Sequence, residues 1–320
     1  MTSLQEQTDL LLEEQKKAWP LLGSNWDLLN EVQVRKFRFD ATTITVQFNP
    51  KRIRSSAARV DQASILKRSC FLCARNRPPE QKSVLFGKAW EILCNPFPIF
   101  REHYTIPTKS HTPQVILPEF SDYLDLSREL HRLVVFYNAP ACGASAPDHM
   151  HFQAGNRGLM PIEGEIESLK RRYGRELLTG GTLRISAIAD GLRRFFVLET
   201  SSKPALEHAF SLIFELMASY QGEEPMLNLL CYYQCGEWQL FLFPREKHRP
   251  WQYFKEGEGN ILLSPAAVDM GGTLITPLEK DFHSISGEDI SDIFGQVTCS
   301  EQHFHEISGM ILSKLSTYEE

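Results

Sequence analysis

The sequence predicts an α+β protein built from two tandem copies of one unit, each an antiparallel sheet with helices packed against it. Three observations carry this expectation. Short apolar stretches alternate with polar residues at strand period, as in Ile44, Val46 and Phe48. The order helix, strand, turn, strand occurs once before residue 155 and once after it. The two strand pairs, 133–153 and 227–243, occupy equivalent places, yet only the first carries histidines. The expected halves are residues 1–160 and 161–320.

Taken in order, residues 1–19 predict an amphipathic helix, with Leu4, Leu10, Leu11 and Trp19 among acids and amides. Residues 31–50 predict strands through Val32, Val34, Phe37 and Phe39, then Ile44 to Phe48. Residues 51–69 are basic and polar and predict an exposed connection. Cys70-Phe-Leu-Cys73 follows, then a proline-containing loop from Arg75 to Glu80. Ala89 to Cys94 predicts a buried strand that Asn95-Pro96-Phe97-Pro98 breaks, and Tyr104 to Pro107 a returning one. Leu124 to Leu133 has helical leucine spacing, Leu133 to Tyr137 reads as a strand, and Asn138 to Asp148 as a loop of small residues. In the second half the expected elements are a strand at 195–198, a helix at 204–220, a strand at 227–233, a turn at Cys235-Gly236-Glu237 and a strand at 238–243.

The chain has 320 residues and a formal net charge of −6. A mildly acidic balance argues against general nucleic-acid binding, which needs a basic surface. No apolar run reaches membrane-spanning length, and the N-terminus lacks the basic start and apolar core of a signal peptide, so a cytoplasmic location is expected. Seven widely spread cysteines in a reducing compartment predict metal ligands or buried thiols in place of disulfides.

His149-Met-His151-Phe-Gln153 alternates as a strand, which would set His149, His151 and Gln153 on one face and Met150 and Phe152 on the other. Neutral imidazole is a good nucleophile toward phosphorus and a good leaving group, so a histidine can split one transfer into two steps. Gln153 can donate its amide to a nonbridging oxygen, and Gly143-Ala-Ser145 offers small residues whose backbone N–H groups approach a phosphate closely. The competing reading of two alternating histidines is a surface pair or part of a metal site. Cys70 and Cys73 have the spacing of half a zinc site; two buried free thiols are the alternative.

Asn138, Gly143-Ala-Ser145 and Asp148-His149-Met-His151-Phe-Gln153 together resemble the signature of the histidine-triad superfamily. The resemblance is to its transferase branch of galactose-1-phosphate uridylyltransferases, diadenosine tetraphosphate phosphorylases and GDP-L-galactose phosphorylases. It is strongest from Cys70 to Arg249. The hydrolase branch has a third histidine where this chain has Gln153. The resemblance implies a histidine-triad-like fold and a ping-pong nucleotidyltransferase or phosphorylase. His151 would be nucleotidylated, and Gln153 would hold the phosphate. The substrate would be a dinucleoside polyphosphate or nucleotide sugar, and the acceptor phosphate or a sugar phosphate. The chain would act as a monomer, its own pseudo-dimer, or as a homodimer, with no nucleic-acid or membrane partner. The same resemblance implies structural zinc held by Cys70, Cys73, His111 and His149, with His103 as the competitor of His111. Two rivals stand beside it: a hydrolase of nucleotide conjugates, and an inactive zinc-stabilised nucleotide-binding protein.

Asn138, Gly143 and Ser145 are expected to touch substrate. In Pro244-Arg245-Glu-Lys247-His248-Arg249, Arg245 and Lys247 are expected to hold the outgoing polyphosphate or sugar phosphate, a solvated turn being the alternative. Arg75, Asn76 and Arg77 either reach a nucleotide or lie exposed. Ser264 to Gly272 resembles a stretch of the phosphorylases and is given no chemistry. Cys142 is read as a packing residue.

Overall fold

In a computed structural model of the chain, residues 2–53, 57, 60–222 and 224–315 are described. The first half runs α1 (Leu4–Ala18), α2 (Pro20–Asp27), β1 (Gln33–Phe39), β2 (Thr42–Phe48), α3 (Gln62–Leu66), β3 (Ser83–Phe86), β4 (Trp90–Cys94), β5 (His103–Pro107), α4 (Phe120–Glu129), β6 (Leu133–Asn138) and β7 (His151–Asn156). The second runs α5 (Ile162–Tyr173), β8 (Gly174–Gly180), β9 (Leu183–Ala189), β10 (Arg194–Thr200), α6 (Lys203–Gln221), β11 (Leu227–Gln234) and β12 (Glu237–Pro244). It continues with α7 (Trp251–Phe254), α8 (Ala267–Met270), β13 (Thr273–Thr276), α9 (Glu279–Ser284), α10 (Gly287–Val297) and α11 (Glu301–Leu315).

Ten strands form one sheet in the order β3-β4-β5-β7-β6-β11-β12-β10-β9-β8, with every pairing antiparallel. Read outward from the β6–β11 seam, the two sides match: three strands, a helix, then a hairpin whose first strand lies at the centre. α4 and α6 are the matching helices. The tandem α+β organisation expected from the sequence is therefore present.

Both faces of the sheet are covered, which is why Leu133 to Tyr137 is a continuous apolar run. Val135 and Tyr137 enter one core with Leu11 of α1, Tyr123 of α4, Phe210 of α6 and Ile307 of α11. Val134 and Phe136 enter the other, against Ile166 of α5 and Ile293 of α10. Strand pleating sends successive residues to opposite faces, so one short segment stitches two cores.

A second sheet of order β1-β2-β13 backs the latter core, with β13 parallel to β2. Residues near the C-terminus thus pair with the N-terminal hairpin and close over the first half. α1 begins with the capping box of Ser3 and Glu6: the Ser3 hydroxyl accepts from the Glu6 amide at 3.2 Å and the Glu6 carboxylate from the Ser3 amide at 2.7 Å. Among the described residues no helix is long and apolar enough to cross a membrane.

Three elements differ from expectation. α4 occupies 120–129 instead of 124–133, because Leu130 ends it and Leu133 already belongs to β6. Within 51–69, part of which lies outside the described residues, α3 is present. β7 starts at His151, since the amide of His149 is spent in a turn on the Ala146 carbonyl at 3.1 Å.

Candidate functional site

Cys70, Cys73, His111 and His149 converge, their ligand atoms all within 4.8 Å of one another. Cys70 Sγ lies 3.3 Å and Cys73 Sγ 3.6 Å from His149 Nδ1, and Cys73 Sγ lies 3.3 Å from His111 Nδ1. A tetrahedral zinc with Zn–S near 2.3 Å and Zn–N near 2.0 Å needs donors about 3.3–3.8 Å apart. The four side chains fit such an ion. His149 Nε2 donates to the Thr108 carbonyl at 2.8 Å, which turns the Nδ1 lone pair toward the sulfurs. Burial raises the Cys70 thiol, but its interaction with His149 and hydrogen bonds from the backbone of Leu72 and Cys73 outweigh it and bring the thiol down to about 6. A thiolate is the form a metal binds. The group could therefore hold a metal ion, and its histidine after β5 is His111. His103, the competitor, lies elsewhere and bonds Gln153.

His149 and His151 do not share a face as the alternation suggested. His149 closes the loop before β7 and points at the cysteines, whereas His151 opens β7 and lines a cleft with Gln153. The two are nevertheless coupled. His151 Nδ1 lies 2.8 Å from the carbonyl of His149. A carbonyl can only accept, so Nδ1 carries the proton and Nε2 keeps its lone pair. Nε2 makes no hydrogen bond among the described residues. His151 is only 4% exposed. Burial lowers its imidazole, the His149 carbonyl raises it and the charge of His149 lowers it again, to about 4 overall, so it is neutral near pH 7.

Gln114 fixes the backbone beneath His151. Its Oε1 accepts from the His151 amide at 2.8 Å, and its Nε2 donates to the carbonyls of His151 at 2.9 Å and Asn138 at 3.0 Å. Nothing in the sequence singled this residue out; a lone glutamine in a proline-flanked segment carries no signature.

The cleft encloses about 820 Å³, within the range of a small-molecule site. Asn138, Gly143, Ser145, His151 and Gln153 all line it. Asn138 acts there as a brace: its Oδ1 accepts from the amides of Asn228 and Ala267, both at 2.8 Å. Gly143 has φ +108°, and a Cβ there would stand 2.5 Å from the Ala266 Cβ, so both conformation and space require glycine. The N–H groups of Gly143, Ala144 and Ser145 make no hydrogen bond among the described residues and form part of the wall.

Arg245 and Lys247 are not placed as expected. Arg245 is fully buried and donates to the carbonyls of Val297 at 2.9 Å and Pro265 at 3.0 Å and to the Asn228 side chain. It ties the end of β12 to the segment before α8 and does not face the cleft. Lys247 is exposed away from it. His248 and Arg249 line the cleft in their place, joined by Arg52, Lys67 and Arg68. Arg52 donates to the Phe97 carbonyl at 3.0 Å, and Arg68 pairs with Asp148 at 2.5 Å. Asn76 lines the cleft, Arg75 is exposed and Arg77 pairs with Glu91.

Residues 11–156 match the profile of a domain of unknown function (DUF4922), and residues 171–318 match that of the GDPGP1-like C-terminal domain. No curated protein matches the chain. Yeast Ap4A phosphorylase in complex with Ap4A is similar in structure, with a TM-score of 0.59 at 15% identity over 90% of this chain and 97% of that one. Its complex with AMP gives 0.56 at 16% identity over 89% and 96%. The fold is that of the yeast Ap4A phosphorylase structures.

Within this fold, the segment 264–269 is the feature that the sequence left without a role. Ser264, Ala266, Val268 and Asp269 all line the cleft, although 266 lies 115 positions from His151 (266 − 151). Arg249 Nε donates to the Ser264 hydroxyl at 3.0 Å. The cleft around His151 is thus walled by the second half, a feature only the three-dimensional path reveals. Cys142 is buried, with its thiol on the Leu227 carbonyl at 3.2 Å and pushed up to about 12 by burial, which suits packing and not attack.

Proposed function

We propose that the cleft transfers a nucleotidyl group by a ping-pong route through His151, as a nucleotidyltransferase or phosphorylase of dinucleoside polyphosphates or nucleotide sugars. The observation that supports it most is the pairing of a neutral His151, proton held on Nδ1 by the His149 carbonyl, with an Nε2 lone pair open to the cleft. Nε2 attacks the α-phosphorus; a P–N bond forms and the P–O bond to the leaving phosphate breaks. The acceptor, phosphate or a sugar phosphate, then attacks the same phosphorus, a P–O bond forms and the P–N bond breaks. The charge that develops on the equatorial oxygens is met by the Gln153 amide, the 143–145 backbone and Ser145. Arg52, His248 and Arg249 face the remaining phosphates. The likeness in fold to an Ap4A phosphorylase and the GDPGP1-like match of the second half support the same reading.

On this reading residues 1–160 supply the chemistry and residues 161–320 the far wall. Cys70, Cys73, His111 and His149 hold structural zinc. A bound metal closes a Cys₂His₂ set and leaves no open position for substrate. The chain's own residues then do the rest: His149 fixes its ring on the metal and its carbonyl on His151.

The test is incubation with α-labelled dinucleoside tetraphosphates and nucleoside diphosphate sugars, with and without phosphate. Acid-labile, base-stable label on His151, and faster turnover with phosphate, are expected. His151→Asn should abolish labelling and lower turnover about 10³-fold or more. Equal nucleotide release with and without phosphate, or label unaffected by His151→Asn, overturns the proposal.

A further inference from the structure

His103 lies on β5 opposite Gly155 of β7, two positions along from the Thr105–Gln153 pair. It is 1% exposed and does not line the cleft. Its ring sits edge-on to Phe100 at 5.3 Å and beside Phe136 at 6.2 Å. Phe100 in turn covers Gly155, where a Cβ would stand 2.5 Å from its ring. The imidazole is therefore clamped in plane.

Its two nitrogens are assigned by their partners. Nδ1 lies 3.1 Å from the backbone N–H of Ile99, which can only donate, so Nδ1 accepts. Nε2 must then carry the proton of the neutral ring, and it lies 3.1 Å from Gln153 Oε1. Burial, the charge of Arg52 and the bond to Gln153, in that order of weight, leave the imidazole at about 3, so the ring stays neutral and this tautomer is the one present. A glutamine amide has one oxygen and one NH₂. With the oxygen held by His103, the NH₂ is turned to the cleft, where it makes no hydrogen bond among the described residues.

We propose that His103 is a positioning residue for the transfer, fixing the Gln153 amide so that its NH₂ and not its oxygen meets the phosphoryl group. The proposal rests on the reading of the cleft given above. A flipped amide would set a lone pair against an anionic oxygen, so one hydrogen bond outside the cleft decides whether Gln153 attracts or repels the reacting group. This gives a geometric role to a histidine that the metal group does not use.

The experiment is a double-mutant cycle on the metal-loaded full chain with the labelled donors above. The single-turnover rate of His151 labelling is measured apart from donor Kd. His103→Phe keeps a flat ring between Phe100 and Phe136 and removes the donor. It is expected to lower the labelling rate about 10–100-fold, as for lost supports of site residues, with Kd changed less than about threefold. In a Gln153→Ala background the same change should cost less than about twofold. His103→Gln, whose Nε2 can donate from nearly the same place, should recover part of the rate. Equal losses in both backgrounds, or a loss confined to Kd, overturn the proposal. A readout independent of turnover is ¹⁵N NMR of the His103 ring, which should show Nε2 protonated and Nδ1 bare from pH 5 to 8. The opposite tautomer, or an imidazolium in that range, overturns it even if His103→Phe fails to fold. A wild-type chain that takes no label from any donor overturns the reading of the cleft and this proposal with it; labelled wild type with additive variants overturns this proposal alone.

Discussion

The two hairpins at the centre of the sheet have the same topology and opposite content. β6 and β7 are joined by twelve residues, 139–150; β11 and β12 are joined by two, 235–236. The short connection is a tight turn with Cys235 at φ +53° and Gly236 at φ +86°, the pair of left-handed residues that suits the strand twist. The long one is folded against the cysteines, holds Gly143 against Ala266 and delivers His149 to the group that could hold a metal. β12 reads Glu-Trp-Gln-Leu-Phe-Leu-Phe-Pro and is buried over most of its length, whereas β7 opens with His151 and places Gln153 in the cleft. A repeated unit needs its strands for the shared core; it needs a long loop only where it builds a site. The second half has kept the core and supplies a wall.

The largest effect that can break this comparison comes from the metal group. If the long loop is held by metal, Cys70→Ser should drop bound zinc from about one per chain to near none and release the His149 carbonyl from its place on His151. Label transfer to His151 should fall about 10–100-fold. Metal analysis with the labelling assay checks this; a zinc-free wild type that labels at full rate would show that the loop stands without it.

What the sequence revealed follows from the range over which each signal acts. Strands β2, β4, β6, β11 and β12 and helices α1 and α6 were legible because hydrophobic period is local. Cys70, Cys73 and His149 were legible because spacing and motif are local too. The choice between His111 and His103 was not: both follow the cysteines, and only the path of β5 turns one to the sulfurs and the other to Gln153. Arg245 was misplaced for a similar reason. Arg249 lies only four positions further on, and which of the two faces the cleft depends on how the chain leaves β12. The Asn228 side chain and the Pro265 and Val297 carbonyls consume Arg245, so Arg249 is presented instead.

Gly143→Ala tests the long loop itself. The left-handed conformation costs an alanine about 1–2 kcal/mol, and the contact with Ala266 adds to it. The loop would shift, and with it the N–H groups of 143–145 that we propose meet the phosphate. Label transfer should fall about tenfold or more, with little change in zinc content. A variant of wild-type rate would remove the loop backbone from the site. The next effect in size separates two cations of the second half. Arg249→Ala should weaken donor binding about tenfold, as expected for loss of a charged hydrogen-bonding group at a phosphate, while Lys247→Ala should leave it within about twofold. The reverse order would restore the assignment that the sequence suggested.

The smallest effect belongs to the short turn, and it is the control that gives the others meaning. Gly236→Ala imposes the same chemical change as Gly143→Ala at another left-handed position, but a Cβ there meets nothing within 4 Å. Only the conformational strain remains, so stability should fall by about 1 kcal/mol. The turn lies at the opposite end of β12 from His248 and Arg249, does not line the cleft, and β12 is held on both sides by β10 and β11. Labelling rate and donor affinity should therefore stay within about twofold of wild type. Denaturant unfolding measures the first quantity and single-turnover labelling the second. If Gly236→Ala lowers transfer as much as Gly143→Ala does, the cost of a left-handed alanine is spreading through the shared sheet. The long loop would then owe its sensitivity to the common core and not to its place at the site.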